Sequence, residues 1–399
     1  MSANITRWLL PQLFFCLNMA GVMIYGVTAM SLASDLKLSA AQVGSLGGTY
    51  FMAYAVSQLL LGSSLGSLPP RLLLGITALA SAGGAFLMSI AQSYEIALLA
   101  RLLMGIGFGT AMVGVVYFVG LLFRNKYAFM INLSQSIASG VAAFLGLLGP
   151  LPLLQNFRLP FLIISLLLLT NGILILLFVK DGSKTNNGDT PAGEPASLAK
   201  TLGAIFANGQ FWIGTIYFTG LFSSFLAYAD LWNIRFQADV FHHTGSQAAM
   251  INSGIVWGLT LGGIVTGMWA NQAGFIKPAR VCAWMSLILM AILYTKPILP
   301  WLAISLMIAL GFFMGGAPLG IAVMNAHVPE KFQAIASPIL LTIAFLSGGL
   351  LMSSVGSSLA GLLPHAFSTY RVGLNWFMVP IAVAAVASLM MKPARSTTG

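Results

Sequence analysis

Two ionisable residues stand inside long apolar runs and are the first candidates for chemistry. Arg101 lies in Leu98-Leu99-Ala100-Arg101-Leu102-Leu103-Met104, and Asp230 in Ala227-Tyr228-Ala229-Asp230-Leu231-Trp232. A charge held in hydrocarbon costs roughly 2.5–3.5 kcal/mol on insertion scales, so it faces a cavity or a partner. Each would sit ~9 Å along a helix from one end of its run. A guanidinium there can contact a substrate anion or modulate a nearby proton site; equally, it can be a hydrogen-bond hub for neighbouring carbonyls. Asp230 is the only acidic residue well inside an apolar run. A carboxyl there can take up and release a proton, which makes it the candidate for proton coupling; the alternative is an interfacial Asp, paired or solvated. Arg235 stands about 140° round the helix from Asp230 and is no natural partner for it. It is expected to reach the outer surface.

Neutral polar residues suggest a pocket around these two. Tyr217, Ser224 and Tyr228 are spaced by seven and four, and Asn18 and Tyr25 by seven, so each set shares a helical face. Asn132, Gln135, Asn252 and Trp257 fall near the middle of their runs. Any one of them alone reads equally well as an interhelical hydrogen bond worth about 0.6 kcal/mol. As a set with Arg101, they predict a substrate cavity with few charges. His242, His243, His327 and His365 fall in loops or at run ends and read as surface residues. Cys16 and Cys282 fall in apolar runs, a pattern of neither a disulfide framework nor a metal site. No nucleophile–base set, phosphate loop, haem or zinc spacing is visible. The reading is therefore a non-enzyme with no cofactor, not driven directly by ATP.

The elements that must position these residues follow from composition. The chain is 58% hydrophobic and only 7% charged, against roughly 25% charged in soluble domains. Such a chain cannot hide its apolar surface in water. Runs of ~20 apolar residues, enough to cross ~30 Å of hydrocarbon, recur along it. Twelve spans are expected, at 8–33, 41–65, 72–92, 95–122, 128–151, 159–179, 209–236, 246–270, 279–295, 300–325, 336–362 and 374–391. The first is much longer than the ~7–15 residues of a signal-peptide core and reads as a span. Residues 1–179 and 209–399 form two halves, and the polar run at 180–208 reads as a solvated cytoplasmic linker. With the N-terminus inside, loops and span edges place 12 Lys and Arg on the linker side and 5 on the other. That split puts the linker and both termini in the cytoplasm. The net charge of +10 is scattered among loops, which does not suggest nucleic acid.

The halves repeat each other. Asp35 and Asp239, Gln42 and Gln247, Gly62 and Gly267, Gly107 and Gly311, and Lys126 and Lys331 are each 204 or 205 residues apart. A duplication with an even number of spans per copy gives copies related by an axis along the membrane normal.

With these landmarks the chain resembles the major facilitator superfamily (MFS) of transporters over nearly its whole length. That family carries Gly-x-x-x-Asp-Arg-x-Gly-Arg-Arg after span 2, where this chain has Gly62-Ser63-Ser64-Leu65-Gly66-Ser67-Leu68-Pro69-Pro70-Arg71. Gly62 and Arg71 match, while Gly66 and Ser67 replace the Asp and the first Arg. The second-half echo keeps Gly267 and has Asn271 and Gln272 at the Asp and Arg positions. In the family this loop latches the halves on the cytoplasmic side, so the resemblance implies gating roles for these positions, with neutral hydrogen bonds from Asn271 and Gln272 in place of charges. Arg101-Leu102-Leu103-Met104-Gly105-Ile106-Gly107 resembles the family's Arg-x-x-x-Gly-x-Gly pattern in span 4. Drug-exporting branches place a Gly five residues before the Pro of a Gly-Pro pair in span 5; here Gly149-Pro150 is preceded by Leu145. Gly315-Gly316-Ala317-Pro318 should kink span 10, as a gating hinge or a close packing contact.

The resemblance implies an all-α membrane protein of two six-helix bundles related by a pseudo-two-fold axis, and a central cavity lined by spans 1, 2, 4, 5, 7, 8, 10 and 11. The expected function is secondary active transport in a bacterial inner membrane: proton-coupled uptake of a small anionic or zwitterionic solute by a monomer. The alternatives are efflux of a drug, siderophore or hydrophobic metabolite, and a transporter-like sensor or assembly partner.

Overall fold

The computed structural model describes residues 2–66, 68–123, 126–148, 156–179, 198–295, 300–362 and 367–393. The run 180–197, Gly149-Pro150 and His365 lie outside them, as does the side chain of Asn132. Among the described residues the chain is helical and has no strand, the solution forced on a backbone that must satisfy its own hydrogen bonds in lipid. The helices are α1 (Ser2–Asp35), α2 (Ala40–Gly62), α3 (Pro70–Ser89), α4 (Tyr94–Phe108), α5 (Ala111–Leu122), α6 (Tyr127–Leu147), α7 (Arg158–Phe178), α8 (Leu198–Phe206), α9 (Gly209–Ala227), α10 (Asn233–Phe241), α11 (Gly245–Ala273), α12 (Ile276–Ile292), α13 (Pro300–Met314), α14 (Leu319–His327), α15 (Glu330–Leu359) and α16 (Phe367–Leu389). Helix covers part of every expected span. Nine stretches of the described residues are long and apolar enough to cross a membrane, and Leu133–Leu147 is a shorter apolar helix. Helix ends alternate between two poles, one marked by Asp35 and the other by the linker.

Packing repeats between the halves. Helix α1 lies against α5, α6 and α7 as α9 lies against α14, α15 and α16; α2 against α4 as α11 against α13; and α3 against α7 as α12 against α16. The duplication read from the 204–205 spacing is thus visible as two bundles with matching neighbours.

Several boundaries differ from expectation for physical reasons. Span 7 does not stop at 236: α9 passes through a π-helical turn, Tyr228–Trp232, into α10 and ends at His242, which is left-handed (φ 57). Past 236 the helix goes on because Gln237 is buried beside Asn233 and Asp239 pairs with Arg235 at 3.3 Å. Arg235 therefore does not simply reach outward. The linker reading at 180–208 is corrected at 198–206, where α8 buries Thr201 and Ile205 on one face. Helix α15 begins at Glu330, six residues before the expected 336, with an acidic first turn that suits its N-terminus. His327 is not a free surface residue: it sits in the last turn of α14, its ring nitrogens 2.9 and 3.1 Å from the Val323 and Pro393 carbonyls.

The expected kink in span 10 is a break. Helix α13 ends at Met314, a turn covers Gly315–Pro318, and Pro318 caps α14. A Cβ on Gly316 would stand 2.7 Å from that of Cys282, and one on Gly315 would stand 2.6 Å from the Leu259 carbonyl. The glycines thus serve close packing against α12 and α11.

The halves meet chiefly through α2 on α15 and α6 on α11, with α1 on the π turn. Gly44, Gly47 and Gly48 lie against Met352, Gly349, Ser353 and Gly356, and Gly26 lies against the Asp230 carbonyl. Trp232 wedges beside Gly44 and Gly356 and donates its indole N–H to the Met352 carbonyl at 3.1 Å. Gly146 faces Ser253, and Ala142 and Ala143 cluster with Val256 and Met23. All these contacts fall in the Asp35-side halves of their helices. At the linker pole, helix ends are tied within one half, as in Asn208 to His327, Gln210 to Met390 and Arg280 to Ser388.

Candidate functional site

The span-4 glycines explain how Arg101 is placed. Ser93 caps α4 by accepting from the Ile96 N–H. Gly105 and Gly109 lie on α2, where a Cβ would strike Ala53 and Ser57 side chains, and Gly107 lies on α3 at Thr77 and Ser81. With no side chains between them, α4 and α2 approach until the Arg101 head group reaches the inner face of α2. Arg101 is fully buried. Its guanidinium is sandwiched between the rings of Tyr25 and Tyr50, 4.1 and 4.2 Å from their centroids, and Nε donates to the Leu46 carbonyl at 3.1 Å. Cation–π contacts of this kind gain strength when desolvated. Tyr25 donates to the Val43 carbonyl at 2.5 Å, and Tyr50 donates to Asn18 Oδ1.

The cluster is incompletely satisfied. Arg101 Nη1 and Asn18 Nδ2 are both buried without a hydrogen-bond partner. A buried donor left unmade costs about 1–3 kcal/mol. Across the interface stands Asp230, half-buried in the π turn, its charge within electrostatic reach of Arg101 and Tyr50. Among the described residues no hydrogen bond or salt bridge to its carboxylate is present. The arrangement can hold an anion against Arg101 and Asn18, and it can exchange a proton at Asp230. Beside it an aromatic wall spans the halves: Phe345 packs against Tyr54, Phe51 and Phe222, with centroids 4.8–6.3 Å apart.

The structure thus brings together Arg101, Asn18, Tyr25 and Asp230 from the expected set. Gln135 and Trp257 are exposed; Gln135 shares a face with Ala142, and Trp257 lies one turn beyond Ser253, so both border the interface between halves. Tyr217, Ser224 and Tyr228 do share a face, but it turns into the second bundle. Tyr217 donates to the Ala279 and Gly316 carbonyls, Ser224 donates to Phe377 O, and Tyr228 packs on the Phe377 ring. Spacing fixes which residues share a face, not which neighbour the face meets. Asn252 is also fully buried and is spent on the backbone of the π turn.

Among the gating candidates, Gly62 packs on Val113 and Arg71 is exposed. Gly267 faces open space, and Asn271 and Gln272 are exposed and make no hydrogen bond among the described residues. The neutral latch expected of Asn271 and Gln272 is not formed, because the contacts between halves lie at the other pole. Tyr50, Trp232 and Asn233 were missed. Tyr50 and Tyr54, one turn apart, were the available signal, but a tyrosine in an apolar run reads as packing. Two grooves, of about 510 and 540 Å³, lie elsewhere, between α1, α6 and α7 and between α9, α15 and α16.

Comparison with known proteins agrees with this architecture. A sequence profile described as the Major Facilitator Superfamily matches residues 13–351. A search of curated proteins finds no match. Among solved structures, the fold is similar to a bacterial homologue of the human lysosomal transporter Spinster in an inward-facing, unoccupied conformation (TM-score 0.75, 15% identity, 98% of this chain and 96% of that one). It is similar to the nucleoside transporter NupG (TM-score 0.74, 16% identity, 98% and 100%) and to a D-xylose–proton symporter (TM-score 0.73, 16% identity, 100% of each). These identities speak to fold alone. The residues matched by the profile, the paired bundles and the nine membrane-length stretches among the described residues make this chain a multi-pass membrane transport protein, and it belongs to the Major Facilitator Superfamily.

Proposed function

We propose that the chain is a proton-coupled secondary transporter for a small anionic or zwitterionic organic solute, taken up across a bacterial inner membrane with both termini cytoplasmic. The reading is carried by the two buried donors without partners, Arg101 Nη1 and Asn18 Nδ2, set opposite the carboxyl of Asp230. In a site this poor in charge, Arg101 needs one negative partner. Ionised Asp230 supplies it when the site holds no solute. Protonation removes that charge, and an anion can then take its place against Arg101 and Asn18. Solute and proton therefore bind together, which is the requirement for symport. The solute's oxygens would complete the donors' hydrogen bonds, and its body would rest on the aromatic wall of Phe51, Tyr54, Phe222 and Phe345.

With the linker cytoplasmic, the pole closed by α2 on α15 is the outer one, so the site in this state opens inward. Rocking the bundles apart there and together at the linker pole would expose it to the other side. The aromatic wall also favours a second reading, export of a solute with a hydrophobic body. Proteoliposomes loaded with a pH-sensitive dye decide between them. A panel of organic anions, amino acids and hydrophobic compounds is added outside in turn. The proposal predicts internal acidification with one class of anion or amino acid, lost in Arg101→Ala. Acidification by no anion or amino acid, with efflux of hydrophobic compounds instead, would reject it.

A further inference from the structure

The π turn that carries Asp230 is held by a buried chain of side-chain amides. In a continuous α-helix the Asn233 N–H would bond the Ala229 carbonyl. It bonds the Tyr228 carbonyl instead, so the Ala229 carbonyl loses its α-helical donor. Asn252 of α11 supplies a replacement, donating Nδ2 to Ala229 O at 2.6 Å. Asn252 is held in turn: its Oδ1 accepts from Asn233 Nδ2 at 2.8 Å, and Asn233 Oδ1 accepts from Gln237 Nε2 at 3.2 Å. All three amides are at most 1% exposed. The chain ends at Gln237, whose buried Oε1 has no hydrogen-bond partner among the described residues; the three bonds that are made favour one backbone arrangement. A π turn holds one extra residue, and reverting it to α-helix would turn the helix beyond it by about 100°.

We infer that Asn252, relayed through Asn233 and Gln237, is a positioning residue: it stabilises the π turn that aims the Asp230 carboxyl at Arg101. This rests on the reading of Asp230 as the coupling carboxyl, and it gives Asn252 a role through the backbone in place of contact with solute. The charged and titratable groups facing Asp230 are Arg101 from α4 and Tyr50 from α2, and a turned carboxyl would leave both.

The test uses the full chain in lipid nanodiscs and requires no solute. Hydrogen exchange reports the backbone of 228–241, and the infrared carbonyl band that Asp230→Asn removes reports protonation of Asp230 against pH. In Asn252→Leu, which keeps the volume and removes the donor, exchange over 228–241 should rise about ten-fold or more while the rest of the chain is unchanged. The pH midpoint of the Asp230 band should move by about half a unit or more. Asn252→Gln, which retains an amide, should restore both to within about two-fold in rate and a few tenths in midpoint. Exchange and midpoint both as in wild type would overturn the inference. So would faster exchange everywhere with an unmoved midpoint, the mark of a generic packing residue. Should Asn252→Leu fail to fold, Gln237→Leu, two steps out in the relay, carries the test: a smaller change in the same direction supports the inference, and no change overturns it. If Asp230→Asn retains proton-linked transport, the coupling reading fails, while the exchange result still reports whether Asn252 holds the turn.

Discussion

Arg101 is the residue on which the site depends. It is a fully buried cation whose guanidinium has two aromatic faces and one carbonyl for company. Arg101→Lys would keep the charge but lose the flat group that stacks on both tyrosines, and Arg101→Ala would lose both. Anion binding, measured by titration calorimetry, should weaken about ten-fold or more in Arg101→Lys, the loss of ~1.4 kcal/mol, and vanish in Arg101→Ala. The sign of the pH effect follows from charge. In wild type, raising the pH ionises Asp230, which then competes with the anion for Arg101, so anion affinity should fall as pH rises. Asp230→Asn carries no charge at any pH, and its anion affinity should stay high and flat with pH. Flat affinity in the wild type, or a pH slope retained in Asp230→Asn, would remove Asp230 from the coupling role.

Among the elements, glycine positions decide how closely helices approach, and the break in span 10 shows what a sequence does and does not reveal. Gly315-Gly316-Ala317-Pro318 announces a disrupted helix by type alone. It does not announce that the Tyr217 hydroxyl donates to the carbonyls of Ala279 and of Gly316, the second lying within the break. Tyr217→Phe should therefore lower thermal stability, by about 1 kcal/mol, and leave solute affinity unchanged; an affinity loss without destabilisation would return Tyr217 to the cavity. The repeat, the helical runs and the two lone charges were legible because each is a departure from an apolar background. The π turn was not, since its cause is a side chain 23 residues away in α11. Nor was the continuation into α10, whose polar residues pair with one another, Arg235 with Asp239 and Gln237 with Asn233. The partners of Tyr217, Ser224 and Tyr228 were hidden for a similar reason: periodicity describes one helix, and a site belongs to several.

At the scale of the whole molecule, two bundles touch at the Asp35 pole, and among the described residues helix ends at the linker pole are tied within their own bundle. The closed pole rests on bare backbone contacts, where a Cβ at Gly48 would collide with the Gly349 carbonyl and Ser353 Oγ. Gly48→Val should destabilise this closure by about 1–3 kcal/mol, enough to shift the open population roughly ten-fold. Spin labels at Gln42 and Gln247 should report a longer distance at the Asp35 pole in this variant, and a pair at Leu72 and Lys277 a shorter one at the linker pole. Unchanged distances at both poles would mean that α2 and α15 do not form a gate. The central claim, that proton and anion share the Arg101–Asp230 site, is tested most directly by thermal stabilisation of the purified protein at two pH values against a library of metabolites and drugs. Bound solute raises apparent stability by mass action. The account predicts hits among small organic anions or amino acids, larger at the lower pH, absent in Arg101→Ala and insensitive to pH in Asp230→Asn. Hits confined to bulky hydrophobic compounds, equal at both pH values and retained in Arg101→Ala, would contradict it.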